Sequence, residues 1–107
     1  MPYKTVLYSE SGGVATITLN RPDKRNAITY ELLQDVKSAL DEALGSAAQV
    51  VIVTGAGKAF CAGMDLENLK QLAGRTHEQN LKDSETMAAL FRSLYDFPKP
   101  TIAAVNG

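Results

Sequence analysis

Residues 49–54 read QVVIVT, an unbroken run dominated by β-branched apolar side chains. A run without polar alternation marks a strand covered on both faces rather than one half in water. It follows a segment in which Ile28, Leu32, Leu33, Val36, Ala39, Leu40, Ala43 and Leu44 recur at helical spacing. Glu31, Gln34, Asp35, Lys37, Asp41 and Glu42 fall on the opposite side, so the segment reads as an amphipathic helix. Thr29 is its expected N-cap and Gly45 its expected stop. A strand, a covering helix and a second buried strand imply a right-handed crossover and a parallel sheet.

The preceding strand belongs to a hairpin. Tyr3–Ser9 and Val14–Leu19 are rich in strand-forming residues and flank the turn signal Ser11-Gly12-Gly13. In the second run Ala15, Ile17 and Leu19 share one face, and Asn20-Arg21-Pro22-Asp23 ends it. Downstream, Leu66–Leu72 reads as a short helix. Thr76-His77-Glu78-Gln79 has the form of a capping box opening a longer helix that carries Met87, Leu90, Phe91, Leu94 and Tyr95. Pro98 and Pro100 end that helix, and Thr101–Val105 reads as another buried strand.

Charge and composition exclude several functions. Eleven basic and 12 acidic residues leave a net charge of −1, so no electrostatic footprint for nucleic acid is present. One cysteine, Cys61, and one histidine, His77, supply neither a disulfide framework nor a metal cluster. The start MPYKTVLYSE has no signal-peptide pattern, and no apolar run is long enough to span a bilayer. The expectation is a cytoplasmic protein that contacts neither membrane nor nucleic acid. Cys61 reads as a buried thiol, and His77 as an exposed first-turn residue.

The segment from Thr54 to Leu66, TGAGKAFCAGMDL, is the informative stretch. Two familiar readings fail on spacing. A P-loop needs G-x-x-x-x-G-K-[ST], but Gly57-Lys58 is followed by Ala59, and Ile52 stands at the first glycine position. A G-x-G-x-x-G fingerprint fails because Phe60 takes the third glycine position. What remains is a small-residue loop leaving a buried strand, which can aim backbone N–H groups into a cleft. The residues alone favour the plainer reading of a tight strand-to-helix turn.

Three segments change that balance: Asn20-Arg21-Pro22 with Asn26-Ala27; Val50–Gly55 with Lys58–Leu66; and Pro98–Gly107. In this order and at these spacings the chain resembles the crotonase (enoyl-CoA hydratase/isomerase) superfamily. The resemblance implies an α/β fold, the crotonase-like (ClpP/crotonase) spiral of ββα units, incomplete in this chain. It implies an acyl-CoA thioester as substrate, with no separate cofactor and no metal. It also implies trimers or dimers of trimers for the complete protein.

In the family, two backbone N–H groups hold the oxyanion of a thioester enolate. The resemblance carries the first donor onto Met64, the residue after Ala62-Gly63. Fixed backbone dipoles suit this task because they need no reorganisation as charge develops. The resemblance places Lys24, Arg25 and Ala27 near the CoA phosphates and adenine, and runs Ala62, Gly63, Met64, Asp65 and Leu66 beside adenine and pantetheine. A solvated basic turn is the plain alternative for Lys24 and Arg25. The second donor and the acid/base carboxylates come later in the family's order. Residues 1–107 are therefore expected to be the amino-terminal part of such a domain, ending before the second oxyanion turn and inactive alone. Asp65 is expected to be a loop or helix-start residue rather than a catalytic acid. The competing reading is a non-catalytic interaction module that pairs with a crotonase-like partner through the edge of its unfinished sheet.

Overall fold

A computed structural model of the chain describes residues 3–63, 65, 74 and 76–107. Its elements run β1 (Val6–Ser11), β2 (Val14–Leu19), a 3₁₀ turn (Pro22–Lys24), α1 (Tyr30–Leu44), β3 (Val50–Gly55), α2 (His77–Tyr95) and β4 (Thr101–Ala104). The sheet order is β1-β2-β3-β4. β1 and β2 pair antiparallel through Gly12 and Gly13, whose φ values of 60° and 82° suit the two-residue turn of a twisted hairpin. β2–β3 and β3–β4 pair parallel, as the crossover argument requires. The expected helix over Leu66–Leu72 lies outside the described residues.

Burial explains why α1 sits where it does. Ala15, Ile17 and Leu19 are the buried residues of β2, alternating with half-buried Val14, Thr16 and Thr18. Against that sheet face α1 places Leu32, Leu33, Val36, Ala39, Leu40 and Ala43. Thr29 caps the helix by accepting the Leu32 N–H at 3.2 Å. Gly45 ends it in a right-handed conformation, φ −83°, so this stop does not use glycine's left-handed freedom. Lys99 instead reaches over from the chain before β4. Its Nζ donates to the carbonyls of Ala43 and Ser46 at 2.7 and 3.0 Å. A cation there meets the negative end of the helix dipole and adds to the bonds that close the helix terminus.

The polar side of α1 also fastens the segment that leads into β1. The Thr5 N–H and hydroxyl both donate to Asp35 Oδ2, at 3.0 and 2.6 Å, and the Tyr3 hydroxyl donates to Glu42 at 2.6 Å. α2 opens with the expected reciprocal capping box: Thr76 Oγ1 accepts from Gln79 N–H, and Gln79 Oε1 accepts from Thr76 N–H. His77 is exposed, and Cys61 is half-buried against the core.

Two expectations fail. The run Thr101–Val105 is not a buried strand: all four residues of β4 are exposed, with Ile102 at 52% and Val105 at 69%. β4 is an edge strand with β3 on one side, and no described element covers its faces. β3, expected to be covered on both faces, has only Val51 fully buried. On α2, Leu90 reaches the core and Met87 and Leu94 pack against it, while Phe91 and Tyr95 are exposed. Periodicity identified the apolar stripe but not what covers it.

Two outcomes test this packing. Leu40, 1% exposed at the centre of α1, should cost about 2–5 kcal/mol when replaced by Ala, read as a lowered urea midpoint. Tyr3 and Tyr8 are held neutral first by burial and then by hydrogen bonds to Glu42 and Glu10, which push both hydroxyls from 10 up to about 12. A raised folded value means this stabilisation is complete below pH 10 and is lost as the pH rises towards 12. Ultraviolet titration should show two tyrosines ionising late, returning to ordinary behaviour in the Tyr3→Phe, Tyr8→Phe chain.

Candidate functional site

Strand register places the loops. Leu19 pairs with Gly55, and Thr54 with Ala104, so β2, β3 and β4 end side by side at one edge of the sheet. The segments that leave them, residues 20–28, 56–65 and 105–107, therefore share the carboxyl end of the parallel strands. In open α/β sheets this is where ligands bind.

The first two loops are laced together through their backbones. Arg25 C=O accepts from Ala62 N–H at 3.0 Å. Ile28 donates its N–H to Gly63 C=O at 2.7 Å and accepts from Asp65 N–H at 2.9 Å. One residue bonding to positions on either side of a third is the parallel-bridge pattern. Side chains reinforce it. Arg21 Nη2 lies 3.2 Å from Asp65 Oδ2, with the side chains 19% and 12% exposed, and Arg21 Nη1 donates to Ala27 C=O. The Asp65 carboxylate thus closes a loop-to-loop ion pair in a partly desolvated place.

The turn from Gly55 to Phe60 folds back so tightly that a Cβ on Gly55 would stand 2.6 Å from both the Ala59 and Phe60 carbonyl oxygens. Two asparagines hold this turn. The Asn26 side chain, fully buried, donates to Ala56 and Ala59 C=O at 3.0 and 2.8 Å and accepts from Arg21 N–H at 2.7 Å. From the far side, the Asn106 amide donates to Gly55 and Gly57 C=O at 2.9 and 3.1 Å and accepts from Gly55 N–H at 3.2 Å. Arg25 and Asn26 are both left-handed, with φ 52° and 57°. Asn tolerates that region, whereas Arg enters it only when its surroundings insist.

The site residues expected from the sequence fall as follows. Lys24 ends the 3₁₀ turn and is exposed, as is Arg25. Ala27 is buried, Ala62 exposed, Gly63 half-buried and Asp65 buried. The ladder brings Arg25, Ala62, Gly63 and Asp65 together around Ile28, and Arg21 joins Ala27 to Asp65. Met64 and Leu66 lie outside the described residues. Arg21, Asn26 and Asn106 were not expected to matter individually. The available signal was asparagine in a turn next to a strand end, which marks a candidate left-handed or backbone-bonding residue.

Among the described residues, no three His, Cys, Asp or Glu side chains group to hold a metal, and no helix is long and apolar enough to cross a membrane. A groove between α1 and α2, lined by Leu33, Gln34, Lys37, Ser38, Thr86 and Leu90 among others, shares no residue with the strand-exit loops.

Comparison with known proteins gives the family and the fold. Residues 9–107 match the family model described as enoyl-CoA hydratase/isomerase, and the chain belongs to that family. Its fold is the crotonase fold. The chain is similar to enoyl-CoA delta isomerase 2 of Rattus norvegicus, 38% identical over 104 residues, covering 97% of this chain and 27% of the relative. It superposes on an enoyl-CoA hydratase from Shewanella pealeana with TM-score 0.95 at 34% identity, covering 97% of this chain and 40% of that one. For an enoyl-CoA hydratase/isomerase from Xanthobacter autotrophicus the values are 0.93 and 36%, covering 99% and 40%. The chain therefore spans two fifths or less of the length of these three proteins.

Gly55→Ala should lower stability by about 1–3 kcal/mol in denaturant unfolding, because the new methyl would meet backbone oxygens on both sides rather than a side chain that can move.

Proposed function

We propose that the protein binds an acyl-CoA thioester at the strand-exit loops, and that the backbone N–H of Met64 donates to the thioester oxygen as enolate character develops. Family membership supports the substrate class. The observation that carries the donor assignment is local. The carbonyl of Gly63 and the N–H of Asp65 are both taken by Ile28, so the two residues that flank position 64 are tied to the neighbouring loop. A donor flanked by anchored peptides would be held in place before charge develops, and this is the property that makes backbone oxyanion holes effective.

Electrons from the substrate α-carbon move onto the thioester oxygen when the α-proton is removed, or when a nucleophile adds to the conjugated double bond. Both hydratase and isomerase chemistry pass through that oxyanion, so this loop would serve either. On this reading Asp65 serves the loop rather than the proton transfer, and its ion pair with Arg21 supports that. Lys24 and Arg25, exposed on the loop beside Ala62, supply the cations suited to the phosphates of CoA. The Ala62–Asp65 backbone would run along the pantetheine. No separate cofactor is needed for this chemistry, since the coenzyme is part of the substrate.

Isothermal titration of the native gene product with a saturated acyl-CoA tests the reading. A saturable site is expected. Replacing Lys24 and Arg25 together by Ala should weaken it by about tenfold, the scale of one charge-assisted hydrogen bond. The loss should shrink at high salt. Absence of any CoA-thioester binding by the native protein overturns the proposal.

A further inference from the structure

The turn at 55–59 leaves β3 and leads into the Cys61–Asp65 loop, and no ladder or helix pairs its carbonyls. Four of them, Gly55, Ala56, Gly57 and Ala59, are instead taken by two side-chain amides, Asn26 from the loop after β2 and Asn106 from the residues after β4. Each amide also accepts one backbone N–H with its oxygen, from Arg21 and Gly55 respectively. An amide is the one uncharged side-chain group with two donors and an acceptor in a single plane. Carboxylate, hydroxyl or imidazole at either position loses at least one of these bonds. The clamp therefore has two jaws, one per neighbouring strand exit, closing on the segment that precedes position 64.

The geometry points to Asn26 and Asn106 as positioning residues for the oxyanion donor: together they fix the turn that carries the loop, and so the distance and angle at which its backbone meets the thioester oxygen. This rests on the thioester reading of the loop. Both side chains act through the backbone of 55–59. Two features separate this role from general stabilisation. The bonds converge on one five-residue turn rather than on the core. The Asn26 side chain is fully buried, so its amide has no alternative partner in solvent, and its backbone is left-handed.

The test is isotope-edited difference infrared spectroscopy of an acyl-CoA labelled at the thioester carbonyl, bound to the native gene product, with steady-state kinetics alongside. Asn26→Gly keeps access to the left-handed backbone and removes the amide. Asn106→Ser, on the half-exposed side, carries the test if the first variant does not fold. In the unsubstituted protein the bound carbonyl stretch should move to lower frequency, reporting donation to its oxygen. In folded variants that shift should diminish and kcat should fall by about 10- to 100-fold, the scale of an ångström-sized misalignment. KM should change by less than about threefold, because binding contacts along the CoA are retained. Folded variants that keep the full carbonyl shift and kcat overturn the inference. An unsubstituted protein that binds acyl-CoA with no carbonyl shift overturns the thioester-oxyanion reading itself.

Discussion

Parallel pairing of β2 with β3, in the register that sets Leu19 opposite Gly55, brings two strand exits side by side, and the candidate site depends on that juxtaposition. Once the exits are neighbours, the loops that follow have unpaired peptide groups facing each other across a short gap. These peptide groups satisfy one another: Arg25 with Ala62, Ile28 with Gly63 and Asp65, Leu19 with Ala56. A one-residue slip of β2 against β3 would turn Ala15, Ile17 and Leu19 away from α1, so the helix that buries these residues also fixes the register of the loops. Packing and site geometry are consequences of the same alignment.

The polar elements play different parts. Arg21 and Asp65 form a partly buried ion pair whose net contribution to stability is small, because desolvation offsets the attraction, but whose geometry ties one loop to the other. The asparagine amides carry no charge to desolvate and bond at both ends of the group. That combination holds the shape of a turn, AGKA, in which three of the four residues are Ala or Gly. Small residues leave the backbone accessible, and a loop meant to present N–H groups to a ligand requires this.

Much of the fold was legible because its signals are local and repeated. The alternation of Ala15, Ile17 and Leu19, the stripe on α1, the Thr29 cap and the Thr76/Gln79 box each follow from short-range chemistry, and each is found. Exposure of β4 was not legible. TIAAV has the composition of a buried strand, and composition reports what a segment can be buried against, not whether the described chain supplies it. Phe91 and Tyr95 were ambiguous for the same reason. At the proposed site, the resemblance of three segments in register singled out Ala62, Gly63, Lys24 and Arg25. It did not reveal the clamp. Asn26 and Asn106 stand 80 positions apart, and only the sheet topology shows that both amides reach one turn.

The central claim is that the stitched loops present a fixed backbone donor to a thioester oxygen. A crystal structure of the native gene product with a bound, unreactive acyl-CoA measures this most directly. The account predicts the thioester oxygen at hydrogen-bonding distance, about 2.7–3.1 Å, from the Met64 backbone nitrogen, with the Asn26 and Asn106 bonds to the 55–59 turn intact. A thioester bound elsewhere, or at this loop with its oxygen turned away from that nitrogen, would contradict it.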